Sequence, residues 1–161
     1  MKLTIKNITS NALLAATYVV LTMATFPISF LGIQFRIAEI LILLCFFRKD
    51  YVFGCTIGCV IANLFSSIGL VDVLFGGLAT LISCLLICFC KRLWLACIFP
   101  VVFNAFIVGF ELFYFLKEPF WISTSLVAIG ELTIMILGYI LFSLLKSKTK
   151  ILIRLGANQN I

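Results

Sequence analysis

Glu39, Glu111 and Glu131 lie inside or at the edge of apolar runs, and Asp72 opens another, in a chain that is 64% hydrophobic. A charge at the centre of a bilayer costs roughly 2.5 to 3.5 kcal/mol on insertion scales, so such residues face a partner, a cavity or a solute. Four acids in such places predict a site that receives something positively charged. The other two acids, Asp50 and Glu118, fall in polar turns, where solvation accounts for them.

The elements that must carry these acids follow from composition. Over 161 residues only 11% are charged and mean hydropathy is +1.28, which is an integral membrane composition. The first apolar stretch, 11–30, has no small-residue cleavage site ahead of a polar mature sequence, so it reads as a retained span. The expected fold is all-α: one bundle of six transmembrane helices at 11–30, 36–47, 51–66, 72–90, 93–116 and 121–145, in a single substrate-binding domain covering 1–161. A net charge of +6 would suggest nucleic acid in a soluble protein. Here the basic residues form short clusters between apolar runs and report topology, because cytoplasmic loops collect Lys and Arg. With both termini cytoplasmic, Lys2, Lys6, Arg48, Lys49, Lys91, Arg92 and the basic tail (Lys146, Lys148, Lys150, Arg154) fall inside. Arg36 and Lys117 are left outside.

The second and third spans are shorter than the ~20 residues a straight helix needs to cross. Bilayer thinning or shifted boundaries would explain that, and so would outer ends that stop early to leave a cup. A re-entrant hairpin is disfavoured, because Arg48, Lys49 and Asp50 would then sit at membrane depth. The seven cysteines read as packing. Cys55 with Cys59, and Cys84 with Cys88, share helix faces, but there is no histidine and no loop-borne pair to complete a zinc site, and no metal or cofactor is expected. Small residues permit close helix approach. Gly54, Gly58 and Ala62 suit packing within the bundle. Ala12 and Ala16 suit equally a core contact or a face offered to another membrane subunit.

Placed by depth at ~1.5 Å per residue, the polar residues converge on the outer half. Arg36 and Glu39 open the second span, Asn63 is near the end of the third, and Asp72 starts the fourth above Gly76 and Thr80. Asn104 and Glu111 share a face of the fifth, and Glu131 is near the middle of the sixth. Arg36 and Glu39, at i and i+3, can pair, which leaves Asp72, Glu111 and Glu131 without an obvious basic partner. A cationic solute would supply one. The alternative is that these acids are buried protonated, as hydrogen-bond donors. Asn63 and Asn104 add mixed donors and acceptors suited to a heteroaromatic edge.

The strings 34–39 (Gln-Phe-Arg-Ile-Ala-Glu), Ala62-Asn63, 69–72 (Gly-Leu-Val-Asp) with Gly76 and Ala79-Thr80, 104–112 (Asn-Ala-Phe-Ile-Val-Gly-Phe-Glu-Leu) and Gly130-Glu131 resemble the queuosine-precursor transporter family QueT, the substrate-binding S components of energy-coupling factor (ECF) transporters. The likeness spans roughly 10–145. It implies a bacterial plasma-membrane protein binding 7-aminomethyl-7-deazaguanine or a close relative. A guanine-like edge offers adjacent donors that one carboxylate can accept, and a carbonyl that needs a donor. On that reading one of Glu39, Glu111 and Glu131 takes the guanine edge, Asp72 or another of them holds the ammonium, and Asn63 and Asn104 take remaining ring atoms. Trp121 reads as an interfacial anchor or a lid. The resemblance also implies partners: a transmembrane coupling subunit and a pair of cytoplasmic ATPases, with Ala12 and Ala16 at the docking surface.

The chain has no Gly-x-x-x-x-Gly-Lys-Ser/Thr phosphate loop to draw on ATP itself. Neither a histidine nor a nucleophile motif is present, so an intramembrane enzyme is disfavoured. A stand-alone proton-coupled carrier would show a pair of inverted broken helices, and none is evident. An S component for another vitamin-like solute would share the architecture without these motifs.

Overall fold

The computed structural model describes residues 5–29 and 35–146, and these form helices and their connections with no strand among them. Lys2, Phe30, Gln34 and the basic residues beyond 146 lie outside the described residues. Six helices make the bundle. They are α1 (Ile5–Ala24, followed by the single turn Phe26–Ser29), α2 (Ile37–Phe47), α3 (Tyr51–Asn63), α4 (Leu70–Ile87), α5 (Leu93–Leu116, with a break at Cys97) and α6 (Phe120–Lys146). Four of them, α1, α4, α5 and α6, are long and apolar enough to cross a membrane.

The distribution of side chains is inverted relative to a water-soluble bundle. Glu39 and Glu111 have no exposed surface, whereas Leu74, Ile129 and Leu13 are exposed at 69%, 56% and 68%. Apolar surface on that scale facing outward, with carboxyls inside, is stable only in lipid. In lipid the helix is also the way for a segment to satisfy its own backbone.

The helices α1, α3, α4, α5 and α6 pack successively against one another, and α2 closes the bundle by contacting α1, α3, α4 and α6. This explains its brevity: Ala38, Ile42, Leu43 and Cys45 are fully buried, so α2 is a central strut enclosed by longer neighbours. Its first part, Ile37–Leu43, is a 3-10 helix and Leu44–Phe47 is α-helical. A 3-10 run of seven residues is uncommon and marks strain or function. With a rise of ~2.0 Å per residue it also stretches the segment, to about 20 Å for α2 as a whole.

Small residues set the α1–α3 contact. A Cβ on Gly54 would lie 2.8 Å from the Asn11 carbonyl oxygen, and one on Gly58 would lie 2.7 Å from Tyr18 Cβ and 3.0 Å from the Ala15 carbonyl oxygen. Gly54 and Gly58 therefore pack within the bundle. Gly58→Ala is expected to force α1 and α3 apart and lower stability by about 1 to 3 kcal/mol, as overpacking does, measured as a lower melting temperature of the detergent-solubilised protein.

At the end of the bundle that carries the α2–α3 turn, Arg48 clamps three segments. It bonds Asp50 through two nitrogens, donates to Asn7 Oδ1 of α1 at 3.2 Å and lies 4.4 Å over the Tyr51 ring. The hydrogen bonds it donates to the Asp50 carboxylate raise the pKa of this guanidinium above its ordinary value. Asp50 is thus paired, not merely solvated. Glu118, in the α5–α6 turn, accepts from Ser123 Oγ at 2.8 Å.

Candidate functional site

The seven residues singled out by sequence, Arg36, Glu39, Asn63, Asp72, Asn104, Glu111 and Glu131, are all buried. They come from α2 and the residue before it, the last turn of α3, the first turn of α4, α5 and the middle of α6. The chain's alternation of direction brings these positions toward the bundle end opposite the Arg48 clamp.

Arg36 is at the centre of the electrostatics. Its Nη2 is 3.9 Å from Asp72 Oδ1, and its charge is felt by Glu39, Glu111 and Glu131 as well. The expected Arg36–Glu39 pairing is therefore only part of the arrangement. Glu39 Oε1 instead accepts from the Tyr18 hydroxyl of α1 at 2.5 Å, with the Thr80 hydroxyl of α4 at 3.3 Å. The 3-10 winding of α2 places Arg36 and Glu39 one turn apart with an i to i+3 backbone bond between them, Glu39 N–H to Arg36 O at 2.9 Å.

Asn63 is partly committed to structure. Its Nδ2 donates to the Asp72 carbonyl at 2.9 Å and lies 3.4 Å from Cys59 Sγ, which ties the end of α3 to the start of α4. Gly76 is required there: a Cβ would meet Asn63 Nδ2 at 2.5 Å and Arg36 Nη1 at 3.2 Å. Any larger residue would push both away from Asp72.

The remaining acids are differently placed. Glu111 lies against the Asp72 carboxyl, and neither of its carboxyl oxygens makes a well-formed hydrogen bond among the described residues. Glu131 lies beside Asn104, and its Oε1 and both amide atoms of Asn104 likewise lack a well-formed hydrogen bond there. Buried polar atoms are nearly always satisfied, and each exception requires an explanation. Here the exceptions are four carboxyl or amide oxygens and one amide nitrogen, all from α5 and α6.

Tyr18 was not among the residues expected here. A phenol in mid-span, away from the interfaces where Tyr normally anchors, was the available signal. Trp121 is 73% exposed in the first turn of α6. Ala12 and Ala16 lie on the exposed side of α1, away from Leu14, Ala15 and Tyr18, which face the bundle.

Comparison with known proteins is consistent with this architecture. A curated relative, the queuosine precursor transporter QueT of Lactococcus lactis subsp. cremoris (strain MG1363), is 35% identical over 148 residues, covering 82% of this chain and 87% of the relative. No solved structure matches. The family model described as QueT transporter matches residues 8–147, a stretch that takes in all but the first three residues of the six helices and every buried polar residue named above. The chain therefore belongs to the QueT transporter family.

Proposed function

We propose that this chain is the substrate-binding membrane subunit of an ECF-type, ATP-driven importer, and that it takes a queuosine precursor of the 7-aminomethyl-7-deazaguanine class from outside a bacterial plasma membrane, with its termini cytoplasmic. The name of the Lactococcus relative supports the substrate class, and the motif resemblance supports the transporter type. The observation that carries the reading is chemical: four carboxyls are buried around one guanidinium, and beyond its contact with the Asp72 carboxyl Glu111 has no well-formed hydrogen bond among the described residues.

The substrate has the complementary groups. Its ammonium fits between the adjacent carboxyls of Glu111 and Asp72. Glu131 with Asn104 offers an acceptor and a donor side by side, which is what the N1–H, 2-amino and carbonyl edge of a guanine requires. Glu39 is held by Tyr18 and Thr80 and supports Arg36, so its role is positioning. A nitrile precursor brings no cation and would leave Glu111 unsatisfied.

The test is binding of the amine to Glu111→Gln and Glu131→Gln, with ligand retained by the purified protein identified by mass spectrometry. Each substitution removes a charge-assisted hydrogen bond worth about 1.5 to 3 kcal/mol, so affinity should fall about ten- to a hundredfold. Glu111→Gln should spare binding of an analogue lacking the aminomethyl group, and Glu131→Gln should not. Unchanged affinity in both variants would defeat the proposal.

A further inference from the structure

Three cysteines outside the acidic site meet in the core. Cys45 of α2, Cys55 of α3 and Cys84 of α4 are fully buried, and their Sγ atoms lie within 4.8 Å of one another. One thiol from each of three helices converging on a point differs from cysteines scattered as small apolar residues, and we propose that this trio is a binding site for a soft, thiophilic divalent metal ion such as Zn(II) or Cd(II).

The geometry suits such an ion. With metal–sulfur bonds of about 2.3 Å, three sulfurs in a trigonal arrangement are separated by about 4.0 Å. The present separations need to close by less than ~1 Å, within the reach of thiol rotamers. Soft sulfur donors without histidine or carboxylate favour soft ions over Mg(II) or Ca(II).

Charge balance also works without an outside partner. A divalent ion displaces the protons of two thiols and takes the third sulfur as a neutral donor; two S–H bonds break, two metal–thiolate bonds form, two protons leave, and nothing is oxidised. The resulting unit is neutral, so no uncompensated charge is left in the core. Two neighbouring contacts hold the surroundings in place: Cys55 Sγ lies 3.6 Å from the Leu41 carbonyl oxygen, and Cys88 Sγ lies 3.6 Å from that of Cys45.

The location gives the site a consequence. Cys55 is one turn from Cys59, and Cys84 one turn from Thr80, both of which belong to the layer around Glu39. An ion on the three sulfurs would fasten together the helices that carry Glu39, Asn63 and Asp72.

The experiment is titration of the purified, reduced chain in detergent with Cd(II), following thiolate-to-metal charge-transfer absorption, proton release and the melting temperature. Expected are saturation at one ion per chain, release of at least two protons per ion and a raised melting temperature. Cys55→Ala and Cys84→Ala, each made separately and checked for helicity, should lose the absorption. Cys90→Ser/Cys97→Ser, which alters thiols outside the trio, should keep it. Absence of a band in the parent chain, or a band that persists in both alanine variants, would overturn the proposal and leave the trio as core packing. Neither outcome bears on the substrate, whose binding is not read in this assay.

Discussion

Arg36→Met is expected to be the most damaging single substitution in the bundle, lowering stability by about 3 to 5 kcal/mol and abolishing substrate binding. Removing one partner of a buried charge pair leaves the other uncompensated, which costs far more than the pair itself contributes. Here the exposure is 4% for Arg36 and 3% for Asp72, so water cannot easily take over. The guanidinium is also felt by Glu39, Glu111 and Glu131, and the loss is shared among four carboxyls. Arg36→Lys keeps the charge but not the planar fork, and should fall between the two.

Asp72→Asn in the Arg36→Met background should restore part of the stability, because it removes one of the stranded charges; the coupling in that cycle measures the pair directly. Melting of the detergent-solubilised variants, together with ligand binding, decides the matter. An Arg36→Met protein that melts with the parent would mean that Arg36 does not balance the acids.

Much of this arrangement was legible from sequence because in a membrane the energetic signal is strong: a carboxyl in an apolar run must face inward. That argument alone located Glu39, Asp72, Glu111 and Glu131, and the helix ends around them followed from loops of charge and turn residues. Expected spans 93–116 and 121–145 agree closely with α5 and α6. The first span was displaced, because α1 runs from Ile5 to Ala24. Its polar start carries no hydrophobic signal, yet it is helical, and Thr9, Ser10 and Asn11 turn their side chains back onto carbonyls four residues earlier, which satisfies those groups without breaking the helix.

What sequence could not supply was partnership across helices. Spacing along one helix suggests that Arg36 neutralises Glu39; the structure adds Asp72 against Arg36 and Tyr18 against Glu39, both from other helices. The cysteines show the same limit: pairs at i and i+4 were visible, while the Cys45, Cys55 and Cys84 trio depends on how α2, α3 and α4 are set against each other. The 3-10 winding of α2 was equally hidden, since its composition is that of an ordinary apolar helix.

Ala12→Trp combined with Ala16→Trp is expected to abolish uptake while leaving ligand affinity within about twofold of the parent, the usual range for an outward-facing substitution. Both alanines lie on the exposed side of α1, the same helix that turns Tyr18 inward to Glu39. Among the described residues both positions are exposed, so folding and binding should survive added bulk. A partner helix packed on small residues approaches closely and tolerates no added volume, so a docked coupling subunit would be displaced by two indoles. Leu74→Trp supplies the control: Leu74 is 69% exposed on α4, and an indole facing lipid there should leave uptake intact. Reconstituted transport and ligand binding, measured on the same preparations, separate the outcomes. Uptake that persists would remove α1 from the docking surface, whereas lost binding would place these alanines in the bundle's own packing.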